Sequence, residues 1–232
     1  PSESGSVMRG LRVALRTAPT RWHAHGPASR GLSRRAGSAG SRADVPDLRR
    51  LLSVTELLEA HRKHGSLYDD KTLAATWNLL GKHAQRDKQA FVSCKGGPIE
   101  PLVEQTLRAL PTMGARYVGT TAHGLAAAER ATRWRSGGAL WDALTARITA
   151  VAPEFDSQGL ANTAWAYAKA GRASPALFDA IAAAGAAFVG EFKSRELAST
   201  AWAFAKAGHD SPALFEAIAS ATTARVREFA PQ

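Results

Sequence analysis

The chain has one cysteine in 232 residues, Cys94, so no internal disulfide can staple it and no zinc site can be built on several thiolates. It contains no run of 18 apolar residues, and its N-terminus lacks the continuous apolar stretch of a secretory signal peptide. Nowhere does hydrophobicity alternate with period two, so strands are not expected. Catalytic constellations are missing as well. Gly96-Gly97-Pro98 follows Lys95 without the Gly-x-x-x-x-Gly-Lys spacing of a phosphate loop and reads as a turn. His61 and His64 share a helix face, yet no carboxylate or cysteine completes a ligand set. Asp69-Asp70 reads as a helix start, and Cys94 has no histidine nearby in sequence to act as its base. Neither metal, cofactor nor enzymatic activity is expected.

Charge of one sign is also missing locally. Between Met8 and Ala43 there are eight arginines and no lysine or acidic residue, so most of the formal charge of +10 belongs to this segment. Residues 44–232 carry 22 basic against 19 acidic groups. Arg9, Arg12 and Arg16 lie on one side of a helix whose other side offers Leu11 and Leu15. That pattern, with many Ser, Gly and Ala, predicts an organellar presequence over residues 1–45, with Met8 as the start and a mitochondrial destination ahead of a plastid one. The other reading is a disordered basic tail that touches nucleic acid directly. Residues 1–7 read as upstream sequence, and both ends as those of an incomplete gene model.

What is present is a repeat. Phe155 to Gly171, FDSQGLANTAWAYAKAG, returns as Phe192 to Gly208, FKSRELASTAWAFAKAG, 37 residues on, and Phe229 falls where a third copy would open. A fixed period in this range marks stacked supersecondary units. Within each unit Ser157 or Ser194 can cap helix A, Gly171 or Gly208 can end it, and Ser174-Pro175 or Ser211-Pro212 can open helix B. Residues 118–154 read as a degenerate copy, with Gly124-Leu125-Ala126-Ala127 set against the start of helix A at an offset of 35 and a turn shorter by two. Residues 50–117 read as more degenerate hairpins. They give a helix over about 53–64 opened by Ser53 and Glu56, a second from Asp69-Asp70, a loop over 88–98, and a third helix over 99–110 ended by Pro111. The expected fold is an all-α solenoid of helical hairpins.

On a helical wheel Leu160, Ala164, Tyr167 and Ala168 share the packing face of helix A, with Thr163 at its edge. Gln158, Asn162 and Lys169 lie opposite, and Arg195, Ser199 and Lys206 hold the same angles in the next copy, with Arg172 and His209 at the helix ends. Such a stripe is either a solvated face or a groove that reads nucleotides, Asn and Ser bonding base edges while Lys and Arg neutralise phosphates. Trp165 and Trp202, at the border, either wedge against a neighbouring repeat or stack on bases. Helix B, with Leu177, Ile181, Ala184 and Phe188 inward and Asp179 or Glu216 outward, reads as scaffold.

The motif Gln158 to Lys169 and its partner Leu197 to Lys206 resemble octotricopeptide repeats, and Glu56-Leu57-Leu58 through Leu73 to Lys82 is similar to the degenerate hairpins that open such proteins. Related arrays occur in FAST-kinase-like proteins with a RAP domain and in helical-repeat subunits of RNA-editing substrate-binding complexes. The resemblance implies sequence-selective binding of single-stranded organellar RNA in stability, processing, editing or translation, within ribonucleoprotein particles and without membrane insertion. It implies contacts from Gln158, Asn162, Lys169, Arg172, Arg195, Ser199, Lys206 and His209, of which Asn162 and Ser199 best match the nucleotide-reading positions. No RAP domain is recognised, and two well-formed repeats read few bases. The rival expectation is a protein-binding scaffold of a mitochondrial ribonucleoprotein or ribosomal particle. A third is a chain separated from its catalytic domain.

Overall fold

The Ser53 hydroxyl accepts from the Glu56 amide at 3.1 Å, while the Glu56 carboxylate accepts from the Leu52 amide at 2.7 Å. One orphan amide of the first turn is thereby satisfied and the residue before the cap is tied to the same turn, and helix α1 runs Val54–His64. The computed structural model describes residues 45–94 and 97–225, which belong to one unit of continuous packing. The expected presequence up to residue 44, its Met8 start and Phe229 lie outside the described residues.

Asp69 caps α2 (Asp70–Arg86), accepting from the Thr72 amide at 2.9 Å. The stretch expected as a loop then forms a short helix, α3 (Lys88–Ser93), because Asp87 accepts from the Ala90 amide at 2.8 Å. Six residues are too few to display a helical period, so only the cap could have announced it. After α4 (Glu100–Ala109), a 3₁₀ turn at Leu110–Thr112 takes up Pro111. Three helical hairpins follow: α5 (Ala115–Thr132) with α6 (Gly138–Ala150), α7 (Ser157–Ala170) with α8 (Pro175–Ala187), and α9 (Ser194–Ala207) with α10 (Pro212–Ala224). Among the described residues every regular element is helical and there is no strand.

The caps correct one expectation. Asp156, not Ser157, caps α7, its carboxylate accepting from the Gly159 amide at 2.7 Å; Lys193 holds the same place before α9, where Glu196 accepts from the Lys193 amide at 2.9 Å. A carboxylate at the helix start gains from the dipole as well as from the hydrogen bond, which favours Asp156 over its neighbouring serine. The C-terminal expectation holds. Gly171 and Gly208 take left-handed φ of 65° and 67°, and the next amides, Arg172 and His209, reach back to Tyr167 and Phe204 in the Schellman arrangement.

Two rows of helices result. In one, α2, α5, α7 and α9 pack side by side in that order; in the other, α1, α4, α6, α8 and α10 do. Trp77 is fully buried and donates from its indole to Thr106 at 2.9 Å, tying α2 to α4. The pair Trp141–Tyr167, ring centroids 5.0 Å apart, joins α6 to α7, and Phe178–Phe204 at 4.9 Å repeats that contact 37 residues on. Edge-to-face pairs of this kind favour a fixed angle between hairpins.

The degenerate copy is in a different register from the one expected. Aligned by their caps, Gly114 and Asp156, helices α5 and α7 place Val118 against Leu160, Thr121 against Thr163 and Ala122 against Ala164, all six buried. The offset is 42 residues there and 45 between α2 and α5, so among first-row helices 37 holds only from α7 to α9, whereas in the second row α6 and α8 keep it, Gly138 standing 37 residues before Pro175. α5 is longer than α7, 18 residues against 14, and the connection that follows is longer, not shorter. The buried Glu129 carboxylate holds that longer end in place, accepting from the Ser136 amide and hydroxyl, each at 2.9 Å, and from the Trp141 indole at 3.0 Å.

Candidate nucleic-acid interface

In this register the first-row helices share one stripe at spacing i, i+4, i+7, i+11, exposed at its ends save for the half-buried Lys169, and half-buried along its middle, with Ala127 buried. On α2 it holds Lys71, Ala75, Asn78 and Lys82; on α5, Arg116, Thr120, His123 and Ala127, continued by Arg130. On α7 it holds Gln158, Asn162, Trp165 and Lys169, and on α9 Arg195, Ser199, Trp202 and Lys206. Directly beneath runs a column of buried threonines, one per helix: Thr76, Thr121, Thr163 and Thr200. Six of the expected contact residues therefore fall together on one face.

The other two do not. Arg172 lies with its guanidinium 6.0 Å from the centre of the Trp141 ring, and His209 packs beside Phe178 and Phe204 while its Nε2 meets Asp179 Oδ1 at 2.9 Å. Each stands just past a Schellman glycine, and that turn carries its side chain toward the second row, away from the stripe. The expected contact residues Arg172 and His209 thus stand off the stripe, at the joints between hairpins.

Charge on the stripe is of one sign. Lys71, Lys82, Arg116, Arg130, Lys169, Arg195 and Lys206 contribute cations, and no stripe position is acidic. Of the other acidic residues of these helices, Glu129 and Glu196 are buried and Asp70 is half-buried at the start of α2, next to the exposed cap Asp69, as Asp156 caps α7; Glu59, Glu100, Glu104, Asp142, Asp179 and Glu216 belong to the second row. A near-neutral sum over residues 44–232 thus conceals a sorted distribution. Sequence reasoning missed Arg116, His123 and Arg130 because the register of α5 was misread, and Lys71 and Lys82 because the stripe was traced only on α7 and α9. The aligned caps Asp69, Gly114 and Asp156 carry the signal that would have found them.

Ring systems cross the middle of the stripe. His123 and Trp165 have centroids 5.2 Å apart, and the Lys169 ammonium lies 5.7 Å from the Trp165 ring and 4.5 Å from that of Trp202. Burial lowers the Lys169 pKa, with the charges of Arg130 and Lys206 acting the same way. Burial also pushes the His123 imidazole down to about 4, assisted by Lys82. The buried Asn162 Oδ1 has no hydrogen-bond partner within the chain. Gln85, Lys88, Arg130 and Ala131 line a shallow, polar depression at one end of the stripe.

Among the described residues no cluster of three histidine, cysteine or acidic side chains could hold a metal ion, and no helix is long and apolar enough to cross a membrane. Compared with known proteins, the chain matches no family model and no curated protein.

Proposed function

We propose that this chain binds single-stranded RNA non-enzymatically along the stripe of α2, α5, α7 and α9, as part of an α-solenoid in which each hairpin is one unit. The observation that carries the reading is the sorting of charge: seven cations and no carboxylate on one face four helices wide, with polar Asn78, Thr120, Asn162 and Ser199 between them. A phosphate backbone needs a positive track, and base edges need short polar groups within it. The resemblance to octotricopeptide repeats and the arginine-rich N-terminus support an organellar setting, the mitochondrial matrix ahead of the chloroplast stroma. There the protein acts in transcript processing, stability, editing or translation.

A second reading, a protein scaffold in a ribonucleoprotein particle, is favoured by one observation. Ala198 and Ala205 on α9 are exposed, whereas their counterparts Ala161 and Ala168 on α7 are buried, so small apolar positions at this end of the row are left uncovered by the described residues.

Binding of the full chain to single-stranded RNA at several salt concentrations separates the two. Arg116→Ala/Lys206→Ala should reduce the slope of log affinity against log salt by about 0.7 per cation removed, while Lys63→Ala/Arg108→Ala in the second row should leave it unchanged. The eight arginines between Met8 and Ala43 contribute equally to all variants. Equal slopes in both doubles would place the RNA elsewhere and favour the scaffold.

A further inference from the structure

The two ring junctions on the stripe are equivalent in position but different in occupancy. His123 on α5 stands where Trp165 stands on α7 and Trp202 on α9. At the first junction, Ala127 occupies the place that Lys169 fills one helix later; with no long side chain to intervene, His123 and Trp165 meet directly at 5.2 Å. At the second junction the Lys169 ammonium stands over both indoles, so the two ring centres lie no more than about 10 Å apart, in keeping with the roughly 8–10 Å between packed helices. A flat ring stacked between two others needs about 7 Å, twice the ~3.4 Å rise of stacked bases.

We infer that Trp165 and Trp202 form a slot for one nucleobase of a single-stranded RNA, held open in the free protein by the Lys169 side chain. The inference rests on the RNA-binding reading and deepens it by assigning the stacking site. Entry of a base moves the Lys169 ammonium off the indole faces to the phosphate alongside, exchanging a cation–π contact for an ion pair, while the base gains two aromatic faces. Arg130 and Lys206 decide the ligand's charge. Both are exposed cations of a stripe that has no acidic position, so a cationic guest such as a methylated lysine is repelled, whereas a ring tethered to phosphate is drawn in. Because His123 closes the Trp165 junction on its other side, one base is stacked and the neighbouring nucleotides lie over Thr120, Asn162 and Ser199.

The test compares two probes on the full chain: a mixed-sequence single-stranded oligoribonucleotide, and an abasic spacer phosphate oligomer of equal length and charge. The wild-type protein should bind the base-containing probe at least about fivefold more tightly, the lower limit of stacking on an aromatic side chain. Trp202→Leu, which keeps an apolar side chain against α7, should remove that preference by a similar factor while leaving the salt slope as it was; Trp165→Leu is the independent second variant. Lys169→Met should lower the salt slope by about 0.7. Equal binding of both probes by the wild type, or a preference that survives both tryptophan substitutions in chains that still melt cooperatively, overturns the slot and leaves the positive track standing. Salt-insensitive binding, or none, overturns the RNA reading together with the slot.

Discussion

Gly81 of α2 and Gly124 of α5 bring two helix backbones into direct contact. A Cβ added to Gly81 would stand 2.5 Å from the Gly124 carbonyl oxygen, and one added to Gly124 would stand 2.4 Å from the carbonyl of Trp77. Neither neighbour is a flexible side-chain end, so the helices themselves would have to part. Gly124→Ala is therefore expected to destabilise the chain by about 3 kcal/mol or more, although alanine is the better helix former by about 1 kcal/mol. Denaturant unfolding monitored by helical circular dichroism would show the midpoint falling. A neutral or stabilising substitution would mean that α2 and α5 are not held together at this crossing.

That crossing also shows where the sequence was hard to read. Gly124-Leu125-Ala126-Ala127 looks like the opening of helix A in the later units, because small residues serve equally at a helix start and at a tight crossing. Burial resolves the ambiguity: Leu125 and Ala126 are covered at the middle of α5, where Tyr167 and Ala168 are covered on α7. By contrast α7 to α10 were legible nearly to the residue, since Gly171, Gly208, Pro175 and Pro212 punctuate them with residues whose backbone preferences leave few alternatives. The stripe was legible for Gln158, Asn162, Lys169, Arg195, Ser199 and Lys206, whose angles follow from the helical period alone. The directions of Arg172 and His209 could not be read in this way, because that period stops at the glycine before each of them.

Their true position makes a prediction opposite to the one their charge invites. Arg172 covers Trp141, and His209 bridges Phe178, Phe204 and Asp179, so both act on the joint between consecutive hairpins. Arg172→Ala and His209→Ala should each cost about 1 kcal/mol of stability, seen as a lower thermal midpoint. Neither should change the salt slope of RNA binding. A fall of about 0.7 in that slope on removing Arg172 would return it to the phosphate-binding set.

His123 ties the stripe to pH. Its imidazole is pushed down to about 4 by burial first and by the Lys82 charge second, against an ordinary value of 6.5. The folded chain thus holds it neutral where the unfolded chain takes up a proton. Stability from this group is complete above pH 6.5 and is lost progressively as pH falls toward 4, by up to about 3 kcal/mol. His61 and His83 are lowered in the same direction, each chiefly by burial, so the acid sensitivity is shared and the variant must isolate one contribution. His123→Gln has no proton to gain in this range. The stability difference between wild type and His123→Gln, from urea unfolding at pH 7 and pH 5, should shift against the wild type by about 2 kcal/mol at the lower pH. A difference that does not change with pH would mean that the imidazole titrates as it does in water. Its 5.2 Å contact with Trp165 would then not shield it, and the junction taken here as closed would be open to solvent.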